Sequence, residues 1–403
     1  MIMAESVIKN IKTDKPVVLL VSLSILFISL FLQAEFNLKQ ALLFLLGIGL
    51  GLTLMYAMFG FSGGWRTFIR SRHSVGIRAQ ILLVGFSSVL FFPIVANVFP
   101  GLSSHAALGQ VGFSVLTGAF LFGIGMQLGG GCGSGTLFTV GQGQTDMLIT
   151  ISFFIIGATV GSYHLPWWLS LPNIGKVSLI TELGWLPALL TQLAILAILY
   201  RYVSSREIKQ HQKLQDFSAK TQRETFWEQL IHGPWPIWWG AIGLTLFGFI
   251  TLVMAGYPWS ITFAFGLWGA KIWSALGGDV ANWAYWSAGY PAKALNQSVL
   301  ADITSVMNFG IILGAMLAAA LAGKYAPQGT LKSKRVLTAV IGGLLLGYGA
   351  RLAFGCNIGA LLGGIASGSL HGWLWLVSAF MGGIVGVKIR VWMKFDKPYG
   401  GAA

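Results

Sequence analysis

Long apolar runs separated by short polar loops dominate the chain. Eleven such runs lie near residues 16–33, 40–59, 79–98, 111–131, 147–163, 185–200, 235–255, 260–276, 304–323, 336–355 and 370–387. Several contain about 17 to 22 residues, enough for an α-helix to cross a hydrocarbon core of roughly 30 Å. A barrel strand needs only about ten residues of alternating polarity, whereas these runs are continuous. The pattern predicts an all-α polytopic membrane protein.

Basic residues cluster at the two ends of the chain, in a few loops and in one long polar stretch. They include Lys9, Lys12, Lys15, Arg66, Arg70, Arg72, Arg78, Arg201, Arg206, Lys209, Lys213, Lys220, Arg223, Lys324, Lys332, Lys334, Arg335, Lys388, Arg390, Lys394 and Lys397. Basic loops of membrane proteins remain in the cytoplasm. We therefore predict that both termini and the polar stretch are cytoplasmic.

Counting crossings under this rule exposes one irregular region. Six crossings carry the chain from a cytoplasmic N-terminus to the polar stretch, but the second half has one run too many for single crossings. Residues 260–300 must then re-enter the membrane or contain two short spans. Gly277, Gly278, Asp279 and Pro291 supply the breaks that such a hairpin needs.

Composition narrows the classes of function. Charged residues make up 9% of the chain and the mean hydropathy is +0.74, whereas soluble domains carry about 25% charged residues. The net charge of +14 is explained by cytoplasmic loops, so the partner is the lipid bilayer and not a nucleic acid. The histidines lack metal-ligand spacing, and no nucleotide loop or catalytic triad is present. We predict no enzyme activity, no cofactor and no metal.

Two segments resemble each other at a fixed offset of 224 residues. Residues 123–137 and 347–361 each hold one of the two cysteines, Cys132 and Cys356, in the same position. The other matching pairs are Gly118 and Gly342, Gly123 and Gly347, Gly125 and Gly349, Leu128 and Leu352, Gly131 and Gly355, and Gly135 and Gly359. Since the predicted helix before Cys132 runs inward and that before Cys356 runs outward, we predict inverted pseudo-symmetric repeats with broken or re-entrant helices around a central pathway.

This repeat predicts four parts of the chain. Residues 1–38 form an N-terminal transmembrane helix, which we interpret as uncleaved because it is long and lacks a good cleavage site. Residues 39–200 form the first transmembrane repeat and residues 233–403 the second. Residues 201–232 form the cytoplasmic basic linker between them.

The glycines around each cysteine allow the helix to break there. A new helix would start near Thr136 and near Ala360, which places each thiol at a helix N-terminus, where free N–H groups favour an anion. Two such thiols facing each other suit a sulfur-containing anion. In the alternative interpretation, both cysteines are small residues that fill tight helix crossings.

Polar residues precede both cysteines by five positions. Arg351 lies inside an apolar run, where a charge costs about 2.5 kcal/mol or more unless it faces a cavity or a partner. Its equivalent is Gln127, which is also polar. Arg351 either attracts anions from the pathway or extends its head group to the membrane interface.

A second glycine-rich element, residues 59–66, ends the second apolar run. Its candidate pathway residues are Gly60, Ser62, Gly63 and Arg66. The element either contributes backbone N–H groups to the pathway or caps a helix, and its spacing favours the cap.

At the segments around Cys132 and Cys356, the chain resembles the YeeE/YedE family of bacterial inner-membrane proteins, from about residue 40 to 390. This resemblance implies a permease in the bacterial inner membrane that takes up thiosulfate or a related sulfur species. It also implies that cysteines along a central path pass the ion by S–H and sulfur contacts, without ATP hydrolysis by the permease.

One position departs from the family pattern. Family members often carry a further cysteine in an element that aligns with residues 59–66, and here Gly60 replaces it. The step that the resemblance assigns to that thiol does not carry over. Only Cys132 and Cys356 keep the thiol role.

These observations predict a transporter of a small sulfur-containing anion, most simply thiosulfate. Two rival functions remain open. In the first, the cysteines become persulfides and relay sulfur to a cytoplasmic sulfur-acceptor protein. In the second, the chain is a structural membrane subunit whose cysteines only pack.

Overall fold

The computed structural model describes residues 13–218, 225–327 and 333–396. Its α-helices are α1 (Lys15–Glu35), α2 (Leu38–Tyr56), α3 (Phe61–Ser71), α4 (Val75–Val95), α5 (Phe113–Leu128), α6 (Gly133–Gly141), α7 (Asp146–Ser170), α8 (Leu179–Leu183), α9 (Trp185–His211), α10 (Phe226–His232), α11 (Ile237–Ala255), α12 (Thr262–Ala275), α13 (Gly289–Asn296), α14 (Ile303–Leu321), α15 (Ser333–Leu352), α16 (Gly364–Ala366) and α17 (Leu370–Trp392). A 3₁₀-helix (Val299–Ala301), a π-helix (Asn357–Gly363) and the paired strands β1 (Gln110–Gly112) and β2 (Asn173–Lys176) complete the fold.

The described helices confirm the predicted fold class. Ten helices or broken helices in this part of the chain are long and apolar enough to cross a membrane. The helix predicted at residues 185–200 is longer than expected, because α9 continues through His211 into the predicted linker. The basic residues Lys9, Lys12, Lys220, Arg223, Lys332 and Lys397 lie outside the described residues.

The helix ends meet at two faces of the bundle. The first, called the linker face, joins Thr13 to Leu321, Tyr56 to Trp235, Ser71 to His211 and Gln142 to Ala326. The second, called the opposite face, joins Gln40 to Leu300, His105 to Gly256, Gly109 to His371 and Ser178 to Ser369. The described chain begins and ends at the linker face.

Helix α12 resolves the irregular region of the second half. The amide of Asn308 donates to Ile261 O at 3.0 Å, deep along α14, whereas Lys271 Nζ donates to Gln297 O at 2.5 Å, just before α14 begins. The chain therefore enters from the opposite face, turns near Ile261 and returns to the same face. Of the two predicted alternatives for residues 260–300, the structure has the re-entrant one.

Helix α3 takes the corresponding course from the linker face. It follows Tyr56 at that face, starts beside Cys132 through a backbone contact of Phe61, and ends at Ser71, whose carbonyl oxygen lies 2.6 Å from His211 Nε2. Two re-entrant helices thus reach the middle of the bundle from opposite faces.

Two broken helices run antiparallel between these re-entrant segments. Helix α5 and its continuation α6 lead toward the linker face, whereas α15 and the π-helix lead away from it. Glycines let them pack closely: a Cβ on Gly118 would lie 2.7 Å from Gly349 O, and one on Gly349 would lie 2.5 Å from Gly118 O. Small residues commonly allow such close packing of transmembrane helices.

Candidate functional site

The two cysteine segments meet in the middle of the bundle. Cys132 and Cys356 are both free thiols with no exposed surface. A Cβ built on Gly133 would lie 3.2 Å from the Sγ of Cys356. The residue after one cysteine therefore touches the other thiol.

Cys132 caps the N-terminus of α6. Its Sγ accepts a hydrogen bond from Gly135 N at 3.5 Å and lies 3.4 Å from Ser134 Oγ. Its carbonyl oxygen accepts from both the backbone N and the Oγ1 of Thr136 at 2.8 Å. The thiol thus takes the place that a serine or aspartate oxygen usually takes at a helix start.

Cys356 occupies the same place at the start of the π-helix. Ile358 N donates to its Sγ at 3.4 Å, and Ala360 N donates to its carbonyl oxygen at 2.9 Å. A π-helix is rare and is frequently found at functional sites. Both thiols therefore lie among backbone N–H groups that the helices leave unpaired.

The predicted starts of the new helices are wrong by three residues. The helices begin at Gly133 and Asn357, directly after the cysteines, and not at Thr136 and Ala360. Because each Sγ accepts a backbone hydrogen bond, the cysteine itself is the cap.

The four predicted glycines line these turns. A Cβ on Gly131 would lie 3.0 Å from Thr136 N, and one on Gly355, whose φ is +149°, would lie 2.8 Å from Ala360 N. Gly135 and Gly359 lie one turn into the new helices, and a Cβ on Gly359 would lie 3.2 Å from Ser260 Oγ. Side chains at positions 131 and 355 would thus press on the new helices.

The re-entrant helices also begin at this point. A backbone group of Phe61, the first residue of α3, contacts the thiol of Cys132. On the other side, Ile261 precedes α12, and its Cγ2 lies 3.4 Å from a Cβ built on Gly133. Four helix N-termini therefore converge around the thiols, an arrangement that favours an anion.

The residues of the 59–66 element reach the first cysteine segment through Gln127. The buried amide of Gln127 donates to Ser62 O at 3.3 Å and accepts from Arg66 Nε at 3.0 Å. Gly60 is the N-cap residue of α3, so the structure confirms that the element caps a helix. A Cβ on Gly63 would meet no atom within 4 Å.

Arg351 lines a cavity of about 560 Å³ on the side of the opposite face. Its Nη1 donates to the hydroxyl of Tyr285, whose ring centre lies 4.5 Å from the guanidinium carbon. Within the described residues it has no salt bridge, and its Nε and Nη2 atoms are buried without a hydrogen-bond partner. Of the two predicted roles for Arg351, the structure has the one that faces a cavity.

Sequence reasoning missed several residues near these features. They are Ser134, Trp259, Ser260, Ile261, Gly266, Tyr285, Asn308 and Asn357. Asn357 follows Cys356 directly, and a polar residue in a buried glycine-rich turn could have been noticed. The others come from segments whose fold places them here, without a local signal in the sequence.

Comparison with known proteins identifies the family. A sequence profile of the family described as Sulphur transport matches residues 56–385. The chain belongs to the Sulphur transport family. The resemblance predicted from the two cysteine segments is therefore confirmed.

Individual members of the family are similar over different lengths. The thiosulfate transporter TsuA of Spirochaeta thermophila is 28% identical over 377 residues, which are 88% of this chain and 98% of that protein. The thiosulfate transporter TsuA of Escherichia coli is 25% identical over 364 residues, 87% of this chain and 94% of that protein. The probable transporter YedE of Escherichia coli is 30% identical over 145 residues, 36% of this chain and 35% of that protein. This member of the Sulphur transport family is a multi-pass membrane transporter and not an enzyme.

Proposed function

We propose that this chain carries thiosulfate across the bacterial inner membrane along a path that passes both thiols. The observation that carries the proposal is the meeting of Cys132 and Cys356 at four helix N-termini. The names of the two TsuA relatives support thiosulfate as the substrate.

The chemistry of this meeting point suits thiosulfate. Backbone N–H groups at helix starts can donate to the sulfonate oxygens, as they do for other oxyanions. A thiol is a weak donor and its sulfur is soft, so it can contact the terminal sulfur of the ion. Sulfate offers no such sulfur. The site would therefore select reduced sulfur by the contact that sulfate lacks.

The path runs between the two faces of the bundle. It begins in the Arg351 cavity, passes Cys356 and Cys132, and leaves beside Gly60, Gly63 and Arg66. Under the positive-inside rule the linker face is cytoplasmic, and so are both termini. A cytoplasmic sulfur-acceptor protein would receive the ion at that face.

The packing supports the proposal of inverted repeats. A Cβ on Gly123 would lie 2.1 Å from Ala379 O on α17, and one on Gly347 would lie 2.1 Å from Phe154 O on α7. The two glycines are equivalent at the offset of 224 residues, and so are their contacts. This equivalence is what an exchange of the two halves requires.

Burial favours transport over a persulfide relay. Both thiols have no exposed surface, so a protein acceptor could not reach either sulfur without a large opening. A relay would leave an added sulfur on one cysteine during turnover. Mass measurement of the intact chain after turnover separates the two mechanisms.

Uptake of radiolabelled thiosulfate into proteoliposomes tests the proposal. We expect Cys132→Ser and Cys356→Ser each to lower uptake about tenfold or more, and excess sulfate to inhibit the parent protein only weakly. Thr245→Ser is the matched control, because Thr245 is buried and its hydroxyl bonds only within α11, to Ala241 O. Unchanged uptake in both cysteine variants would show that the thiols only pack.

A further inference from the structure

The Arg351 cavity has properties that the thiol path does not explain. It opens at the opposite face beside Tyr257 and Tyr290, which are 45% and 50% exposed. Its volume of about 560 Å³ lies within the range of about 300–1,000 Å³ that is usual for sites of organic ligands. Thiosulfate has five heavy atoms and would fill roughly 150 Å³ at about 30 Å³ each, the share of a water molecule. The cavity is thus several times larger than thiosulfate needs.

The unpaired polar atoms of the cavity are all donors. They are Nε and Nη2 of Arg351 and the indole Nε1 of Trp259, each buried without a hydrogen-bond partner. Trp259 is only 3% exposed. Guanidinium and indole groups donate hydrogen bonds and accept none. A ligand that satisfies these three N–H groups must therefore bring several acceptor atoms and a negative charge.

The carboxylate nearest in sequence to the cavity wall does not neutralise Arg351. Asp302 accepts from Tyr290 at 2.8 Å and from the backbone and hydroxyl of Ser305 at 2.7 Å. It forms no ion pair with the guanidinium among the described residues. The charge of Arg351 thus remains available to a ligand.

The rest of the wall is mostly apolar and aromatic. The rings that line it belong to Tyr257, Trp259, Phe263, Tyr285, Tyr290 and Phe354. A small hydrated ion gains little from such a wall, whereas an apolar group gains from leaving water. The wall therefore favours a ligand with an apolar body beside its charged head.

We propose that this cavity binds organic anions in which a sulfonate head is joined to an apolar group, as in organic sulfonates and S-substituted thiosulfates. The three sulfonate oxygens accept from Arg351 and Trp259, and the apolar group packs against the aromatic rings. The inference extends the proposed path, but it concerns binding and not the transport step. It can therefore be tested without transport.

Equilibrium binding to the full chain in lipid nanodiscs tests this proposal. Benzenesulfonate is the probe, with methanesulfonate and thiosulfate as smaller comparison ligands. We expect saturable binding of benzenesulfonate that is at least about tenfold tighter than that of methanesulfonate, because only the former buries a ring.

Three variants assign the binding to the cavity. Arg351→Gln should abolish it, and Trp259→Phe, which keeps a ring but removes the N–H group, should weaken it about fivefold or more. Gly266→Ala should also weaken it, since a Cβ there would lie 1.8 Å from Arg351 Nη2 and displace the guanidinium. Trp273→Phe is the matched control, because Trp273 lies on the same helix and is 51% exposed. It should change nothing.

Several results would overturn the inference. They are a lack of saturable benzenesulfonate binding, equal affinity for methanesulfonate, and unchanged affinity in both Trp259→Phe and Gly266→Ala. The last two variants keep the test decisive if Arg351→Gln does not fold. Thiosulfate uptake by the same preparation separates the two proposals: uptake without benzenesulfonate binding refutes only the cavity ligand, and binding without uptake refutes only the transport proposal.

Discussion

The close packing of the broken helices yields a quantitative prediction for Gly123→Ala and Gly347→Ala. In each case the added Cβ would lie 2.1 Å from a backbone oxygen of the neighbouring helix, where ordinary contacts start at 3.4 Å. The neighbouring helix must therefore move by about 1.3 Å, the difference between these distances. Overpacking of this kind typically costs about 1–3 kcal/mol. Because the two environments are alike, we expect the two costs to be similar.

Thermal unfolding of the detergent-solubilised chain measures this cost. A loss of about 1–3 kcal/mol corresponds to a fall in the unfolding midpoint of about 2–6 °C. Gly63→Ala is the control: Gly63 lies in α3, and a Cβ there would meet no atom within 4 Å. It should leave the midpoint unchanged or raise it slightly, since alanine is about 1 kcal/mol better than glycine inside a helix.

The results can refute the reasoning in two ways. An unchanged midpoint in Gly123→Ala would mean that α5 does not pack on α17 as closely as the structure has it. A large fall in one variant with none in the other would mean that the two contacts are not equivalent. The second result would count against the inverted repeats, while the control would exclude a general effect of replacing glycine.

Three further predictions concern the site and the linker face. Gly60→Cys restores the family thiol at a position where a Cβ approaches no atom closer than 4.0 Å, so we expect normal folding and faster thiosulfate uptake; slower uptake would contradict this. Asn357→Asp places a carboxylate beside Cys356, where both polar atoms of the buried amide lack partners, and it should lower uptake about tenfold or more by repelling the anion. Asn357→Gly, which copies the first half, should retain uptake, and equal loss in both variants would point to misfolding. Burial raises the pKa of Asp396, but its hydrogen bond and ion pair with Arg390 lower it further, so the net shift is below the ordinary value. The stabilisation it gives is then present above about pH 4 and is lost as the pH falls through the lowered pKa. The midpoint difference between the parent and Asp396→Asn should therefore shrink in acid, and a difference that persists at pH 2 would disprove the linkage.

The membrane explains why much of the fold could be predicted from the sequence. A spanning helix must be apolar over a fixed length, so runs such as 16–33 and 370–387 predicted α1 and α17 directly. Helix α12, at 14 residues, is too short for this rule. Its re-entrant course was predicted, as one of two alternatives, only by counting faces. The contact of Asn308 with Ile261 that fixes its depth has no local signal.

The site was predicted in part for the same physical reasons. The register of Cys132 and Cys356 is visible in the sequence because a repeat preserves spacing, and both indeed lie at helix starts. The helix starts were misplaced because cysteine is not among the usual capping residues. Trp259 was missed because tryptophan in a membrane protein is ordinarily an interface residue, and only the fold places its N–H beside Arg351 in one cavity.

The equivalent positions Gln127 and Arg351 show how the two halves differ in the state described here. The Gln127 amide is satisfied by Ser62 and Arg66, and its carbonyl oxygen accepts from Arg390 at 3.0 Å. These bonds close the linker side of the thiols with polar groups that already have partners. Arg351, in contrast, keeps two unpaired donor atoms in an open cavity. An anion can thus approach the thiols from the opposite face, while passage to the linker face requires the bonds around Gln127 to open. The same scaffold therefore combines an accessible side and a closed side, as alternating access requires of inverted halves.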